Sequence, residues 1–209
     1  MGVAISETFA GRMSASEFRS FQERRPDRER WELVAGVPMM MTPPTIAHNR
    51  IASNLERLLN SALDVHAPSR MAVQRPGIEL GSGDYRPEPD IGVIDADYDE
   101  NQRFVERAYL LAEIVSGSDD VPVPGTRERW IDVKREIYLA HGHCEALLIV
   151  QQGRIEAQVD VRTDGAWKST TITGPSAELN LSQFGLKCLL GQLYEGTPLR
   201  PRAARPHRQ

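Results

Sequence analysis

Ala108-Tyr-Leu-Leu-Ala-Glu-Ile-Val115 is the stretch on which the reading of the chain turns. Its residues are apolar on both sides of Glu113, the pattern of a strand buried in the middle of a sheet. Alternation puts Leu111, Glu113 and Val115 on one face and Leu110, Ala112 and Ile114 on the other. An ionised carboxylate in such a place is strongly unfavourable unless a cation or hydrogen bonds compensate it. Earlier in the chain, Pro89-Asp90 leads into Ile91-Gly-Val-Ile94, a second buried strand. An acid at the end of one strand and another in the middle of a second is how a sheet builds a divalent-metal site. Asp90 and Glu113 are therefore the candidate ligands.

Metal-dependent nucleases commonly carry a lysine two residues after such a glutamate, where it positions and polarises the attacking water. Here that place holds Val115. A helix expected over roughly Arg127 to His141, ending at Gly142, offers a substitute. Trp130, Val133, Ile137 and Tyr138 form its apolar stripe, and Lys134 lies within that stripe, one turn from Tyr138. Lys+Arg total 25, yet the only lysines are Lys134, Lys168 and Lys187, so each one merits a reason. Lysine is a compact point charge with a tunable pKa. The plainer alternative is a side chain that snorkels from the stripe into water.

Outward from these segments the pattern is α/β. Ser14-Ala-Ser-Glu17 reads as a capping box opening a short helix, and Pro26-Asp27 breaks the chain. Trp31–Val34 and Val37–Met41 form a hairpin across Ala35-Gly36, stopped by Pro43-Pro44. Helical spacing runs from Thr45 to about Leu63. Val73 and Ile78–Leu80 suggest short strands, with a turn at Gly81 to Asp84. A polar loop covers Ser116 to Gly125. Ala146–Val150 is an apolar strand, turned by Gln151-Gln-Gly153 into Arg154–Arg162. Asp164-Gly165 then makes a hairpin into Trp167–Ile172. The prediction is a mixed β-sheet flanked by helices, with antiparallel hairpins at the edges, in one domain over residues 1–197. Residues 198–209, rich in Pro and Arg, form a basic tail expected to be disordered.

The 40% hydrophobic and 26% charged content is ordinary for a water-soluble domain. No apolar run reaches the roughly 18 residues a membrane span needs, and no basic-then-apolar leader is evident, so a cytoplasmic protein with no membrane partner is expected. Cys144 and Cys188 make neither a metal-binding spacing nor a disulfide framework. A net charge of −4 argues against a non-specific nucleic-acid coat. It leaves room for an acidic catalytic site with arginines elsewhere.

Taken in order, Trp31-Glu-Leu-Val-Ala-Gly36, Pro43-Pro44, His48, Pro89-Asp90, Glu113-Ile-Val-Ser116, Lys134-Arg-Glu-Ile-Tyr138 and Gly142 resemble a widespread bacterial family of restriction-endonuclease-like proteins, expanded in cyanobacteria, within the PD-(D/E)XK nuclease superfamily. The likeness runs from about Ser14 to Val161. It implies a restriction-endonuclease-like fold and a lysine moved from strand to helix, which is the role of Lys134. Glu32 matches the family's N-terminal glutamate, and the resemblance implies a third metal ligand there; His48 and Tyr138 are accessory candidates. There are departures. Ser116-Gly117-Ser118 stands for Ser-Pro-Ser, and the loop before the helix is longer. Trp130 occupies the place of an acid, with Asp132 the nearest substitute, and Ala35 stands where aspartate is common. Asp95, Asp97, Asp99 and Asp119-Asp120 read as solvated loop acids, and Arg200, Arg202, Arg205 and Arg208 as tail residues.

The expected function is hydrolysis of DNA phosphodiester bonds by a homodimeric endonuclease. Asp90, Glu113 and Glu32 would bind Mg²⁺, or Mn²⁺, with Lys134 orienting the water. The alternative is a catalytically inactive binding or scaffold protein of the same fold.

Overall fold

The computed structural model of the chain describes residues 12–26, 28–80, 83–116, 122–123 and 126–202. Helix α1 (Ala15–Glu23) opens on the expected capping box: the Ser14 hydroxyl accepts from the Glu17 amide, and the Glu17 carboxylate accepts from the Ser14 amide at 2.7 Å. The hairpin of β1 (Trp31–Val34) and β2 (Val37–Met40) follows. Its central residues, Ala35 and Gly36, have φ of 50° and 77°, the left-handed pair that a two-residue hairpin needs to match strand twist. A Cβ on Gly36 would also lie 2.7 Å from that of Arg12. Next come α2 (Ile46–His66), capped by the Thr45 hydroxyl, then β3 (Arg70–Gln74), β4 (Gly77–Ile78), β5 (Ile91–Asp95), β6 (Phe104–Val105) and β7 (Ala108–Val115). After α3 (Trp130–Ala140) lie β8 (Ala146–Gln151), β9 (Glu156–Thr163), β10 (Ala166–Thr173), β11 (Glu178–Leu181) and β12 (Leu186–Leu189).

The main sheet has the order β10-β9-β8-β7-β5-β3. β7 and β8 are parallel, joined by the crossover that carries α3, and every other neighbouring pair is antiparallel. This is the mixed, helix-flanked sheet that the sequence predicts. The two faces of β7 divide as alternation requires. Leu110, Ala112 and Ile114 pack with Ile51, Leu55, Leu59 and Leu63 of α2, while Leu111 and Val115 pack with Ile131 and Tyr138 of α3. Glu113 thus belongs to the α3 face.

The β1–β2 hairpin stands outside the main sheet. Its Trp31 and Leu33 pack with Phe18 and Phe21 of α1, and Val34 packs with Trp130 and Val133 of α3. Alternation consequently turns Glu32 toward α3.

Some boundaries differ from expectation. α2 runs on to His66. α3 begins at Trp130 rather than Arg127, because Arg129 is drawn into an isolated bridge with Pro122 that keeps the backbone extended. Residues 178–194, which carry no assignment in the sequence reading, form the β11–β12 hairpin and two 3₁₀ turns. Their Leu179, Leu181, Phe184, Leu193 and Tyr194 complete the core beneath α2. At the start of the expected tail the chain closes a turn, the Gly196 amide donating to the Arg200 carbonyl at 2.9 Å. The readings for Asp27, Gly81, Gly117, Ser118, Asp119, Asp120, Arg205 and Arg208 lie outside the described residues. Cys144 and Cys188 are buried free thiols. Among the described residues no helix is long and apolar enough to cross a membrane.

Candidate active site

β5 and β7 pair antiparallel with Ile91 opposite Ala112, so one step further along the register brings Asp90 level with Glu113. Asp90 is buried and continues the ladder with its side chain: Oδ2 accepts from the Ile114 amide at 2.8 Å, as a backbone carbonyl would. The same oxygen lies 3.0 Å from His48 Nε2, presented by the first turn of α2. His48 Nδ1 is buried with no hydrogen-bond partner among the described residues.

Across from Asp90, Glu113 meets two donors from α3. The Tyr138 hydroxyl donates to Oε1 at 2.7 Å, and Lys134 Nζ lies 3.2 Å from both carboxylate oxygens. Lys134 is 3% exposed, so the snorkelling alternative does not describe it. Its ammonium also reaches Glu32 Oε1 at 2.9 Å. Glu32, 1% exposed, has its remaining capacity filled by the Glu88 amide at 2.8 Å and the Trp130 indole N–H at 2.7 Å. Trp130 is buried, as its place in the apolar stripe implies, and it stands where the resemblance has an acid. The structure shows an indole donor satisfying Glu32, a role that no spacing rule would reveal. Asp132 pairs with Arg129 at 2.7 Å on the exposed side of α3, away from these groups.

Three carboxylates face one ammonium here, and the charges settle accordingly. Burial pushes the Glu113 carboxyl up to about 8, with Asp90 and Glu32 adding to the rise, against the pull of Lys134 and Tyr138. Burial opposes charge on Lys134 as well, but Glu113, Glu32 and Asp90 together hold it well above its ordinary 10.5. Lysine therefore stays charged, and Glu113 is the group that surrenders charge. For Asp90, burial is outweighed by His48 and the Ile114 amide, and its carboxyl is held below 3.8. Burial and the Glu113 charge raise the Tyr138 phenol well above 10.0, keeping it a proton donor.

A metal must fit these donors. Among the described residues no three His, Cys, Asp or Glu side chains converge as a ready-made cluster. Glu32 is committed to three donors, and both hydrogen bonds to Asp90 fall on Oδ2. What remains is a pair of hard oxygen ligands, Asp90 and Glu113, on neighbouring strands. Mg²⁺ is commonly held by one or two carboxylates and keeps several waters, so the pair suits it chemically.

Over residues 15–190 the chain matches the Uma2 family, described as "Putative restriction endonuclease". The chain belongs to that family. A crystal structure of a putative nuclease belonging to DUF820 from Anabaena variabilis is similar in fold, with a TM-score of 0.61 at 18% identity over 84% of this chain and 96% of that one. At that identity the likeness speaks for the fold alone. No match is found among curated proteins. Membership of Uma2 agrees with the resemblance carried by Pro89-Asp90, Glu113 and Lys134, and makes the chain a nuclease-fold protein.

Proposed function

We propose that this Uma2 protein is a Mg²⁺- or Mn²⁺-dependent endonuclease that hydrolyses DNA phosphodiester bonds. One observation carries the reading: a buried lysine on α3 held against Glu113, with Asp90 level with Glu113 on the adjoining strand. Asp90 and Glu113 would hold the ion, which when bound would polarise the scissile phosphate and lower the pKa of a bound water. Lys134 supplies fixed positive charge toward the phosphorane-like transition state. Glu32, in this reading, holds Lys134 in place from behind, and Tyr138 fixes the orientation of the Glu113 carboxylate. His48 does the same for Asp90. A homodimer would present one such site to each strand of a duplex. We take the setting to be the cytoplasm.

A second reading has its own support. Lys134 already pairs with both Glu113 and Glu32, a contact network that serves equally to hold together an inactive binding or scaffold protein. Purified protein tested on plasmid DNA with Mg²⁺ or Mn²⁺ separates the two. The nuclease reading expects nicking that Glu113→Gln abolishes in a folded protein, together with a metal-dependent rise in melting temperature. Silence in both measurements favours the scaffold. Equal cutting by parent and variant indicates a contaminant and removes the support for catalysis.

A further inference from the structure

Beside the acidic site is a cleft of about 960 Å³ between α1, the β3–β4 segment and the chain leading into β6. That is the upper end of ordinary ligand pockets, roughly 300–1,000 Å³, but those are mostly apolar. Here five guanidinium groups, those of Arg19, Arg25, Arg30, Arg75 and Arg103, line the walls against three carboxylates. Arg19 also pairs with Glu79, which lies outside the lining; even with that acid counted, a chain of net charge −4 gathers a local surplus of positive charge. Two of the acids are also engaged: Glu29 accepts from the Trp31 indole at 2.9 Å, and Glu88 lies 3.6 Å from Arg30 with its carboxyl raised by burial.

Two exposed rings complete the lining. Tyr98 is 55% and Phe104 39% exposed, an unfavourable display of aromatic surface that a ligand could cover. The Arg19 guanidinium lies 5.1 Å from the Phe104 ring centroid. Phe104 is held by the pairing of β4 with β6, where Gly77 leaves no room for a side chain: a Cβ there would lie 2.6 Å from both the Phe104 ring and the Arg103 carbonyl. Rings interleaved with arginines suit unpaired nucleic acid, whose bases stack on the rings while its phosphates meet the cations. A duplex keeps its base faces inside.

Backbone contacts join this cleft to the acids. The Arg75 amide donates to the Asp90 carbonyl at 3.1 Å, and the Glu88 amide donates to Glu32; Arg75 and Glu88 both line the cleft. We propose that the cleft binds an unpaired stretch of DNA and leads it to Asp90 and Glu113, so that the substrate is single-stranded or carries a single-stranded arm. The catalytic half of this statement rests on the nuclease reading; the binding half does not.

The test is fluorescence anisotropy in EDTA with labelled oligo-thymidylate of about 12 nucleotides, within the length one such binding site covers, and a duplex of equal length. The oligonucleotide should bind more tightly than the duplex. Tyr98→Ala and Phe104→Ala should each weaken it about tenfold with little change for duplex. Arg75→Ala should reduce the slope of log affinity against log salt by about 0.7. Melting curves establish that each variant is folded, and should Phe104→Ala fail, the exposed Tyr98→Ala carries the test. Equal affinity for duplex, or ring variants that bind as the parent does, would overturn the proposal. With Mg²⁺ added, a bound but uncut oligonucleotide counts against the nuclease reading alone. Cut duplex without strand binding counts against the cleft alone.

Discussion

Replacing Glu113 by glutamine should change how stability depends on pH, in a direction that the burial of this carboxyl dictates. In the fold the group is 4% exposed and titrates at about 8; its ordinary value is 4.5. Between those values the folded state keeps a proton that the unfolded state has released, so stability falls as pH rises. The slope approaches 1.4 kcal/mol per pH unit, on the order of 4–5 kcal/mol across the window. Lys134 adds no slope there. Its raised pKa and its ordinary 10.5 both lie above the window, and the stability it confers is complete below 10.5. Asp90, lowered from 3.8, contributes stability lost only as pH falls below that value. Urea denaturation of parent and Glu113→Gln in metal-free buffer from pH 5 to 8.5 measures the difference. The two should be similar at pH 5, and the variant should be several kcal/mol more stable by pH 8. A gap that stays constant with pH would refute the reasoning, because it would mean that Lys134 keeps Glu113 ionised throughout.

Other substitutions test neighbouring links. Lys134→Ala leaves Glu113 and Glu32 without their shared cation and should cost about 3–5 kcal/mol by denaturation, with cutting abolished and Mg²⁺ affinity kept or increased. Tyr138→Phe removes a hydrogen bond that favours the ionised Glu113, so the acidic limb of the pH–rate profile should move to higher pH. Asp160→Asn disturbs a fully buried acid forked by Arg135 at 2.7 and 2.9 Å; it should lower stability by about 2 kcal/mol and leave DNA cutting unchanged. Leu55→Ala, in the wholly buried stripe of α2, should cost about 2–5 kcal/mol in urea without altering metal-dependent stabilisation.

Asp160 also marks how far the sequence could be read. It sits in strand β9 and is as buried as Glu113, yet its segment mixes polar and apolar residues, so the pattern does not set it apart. The run around Glu113 is apolar on every side, and that contrast made the acid visible. Periodicity revealed α2 and α3 for the same reason: each has several turns over which the stripe repeats. Strands β11 and β12 are joined through a 3₁₀ turn at Ser182–Phe184 rather than by a two-residue turn such as Ala35-Gly36 in the equally short β1–β2 hairpin, and their pairing depends on the left-handed turn at Gly185. Motif order brought Asp90, Glu113, Lys134 and Glu32 together as candidates, but which donors fill each carboxylate was not legible. The Trp130 indole, the Glu88 amide and the Ile114 amide reach their acids only through tertiary packing.

The Asp90 side chain stands in for a backbone acceptor opposite Ile114, and that double duty bears on reading related sequences. A lineage that gave up chemistry would still need an acceptor there to finish its sheet, so selection for folding alone would retain the aspartate. Glu113 instead meets side-chain donors, Lys134 and Tyr138, which can change along with it, and its ionisation burdens the strand that carries it. Inactive descendants should keep the first acid and let the second drift toward apolar residues. Under the nuclease reading, glutamate at that position, more than the Pro-Asp pair, is the trace by which working relatives would be told from silent ones.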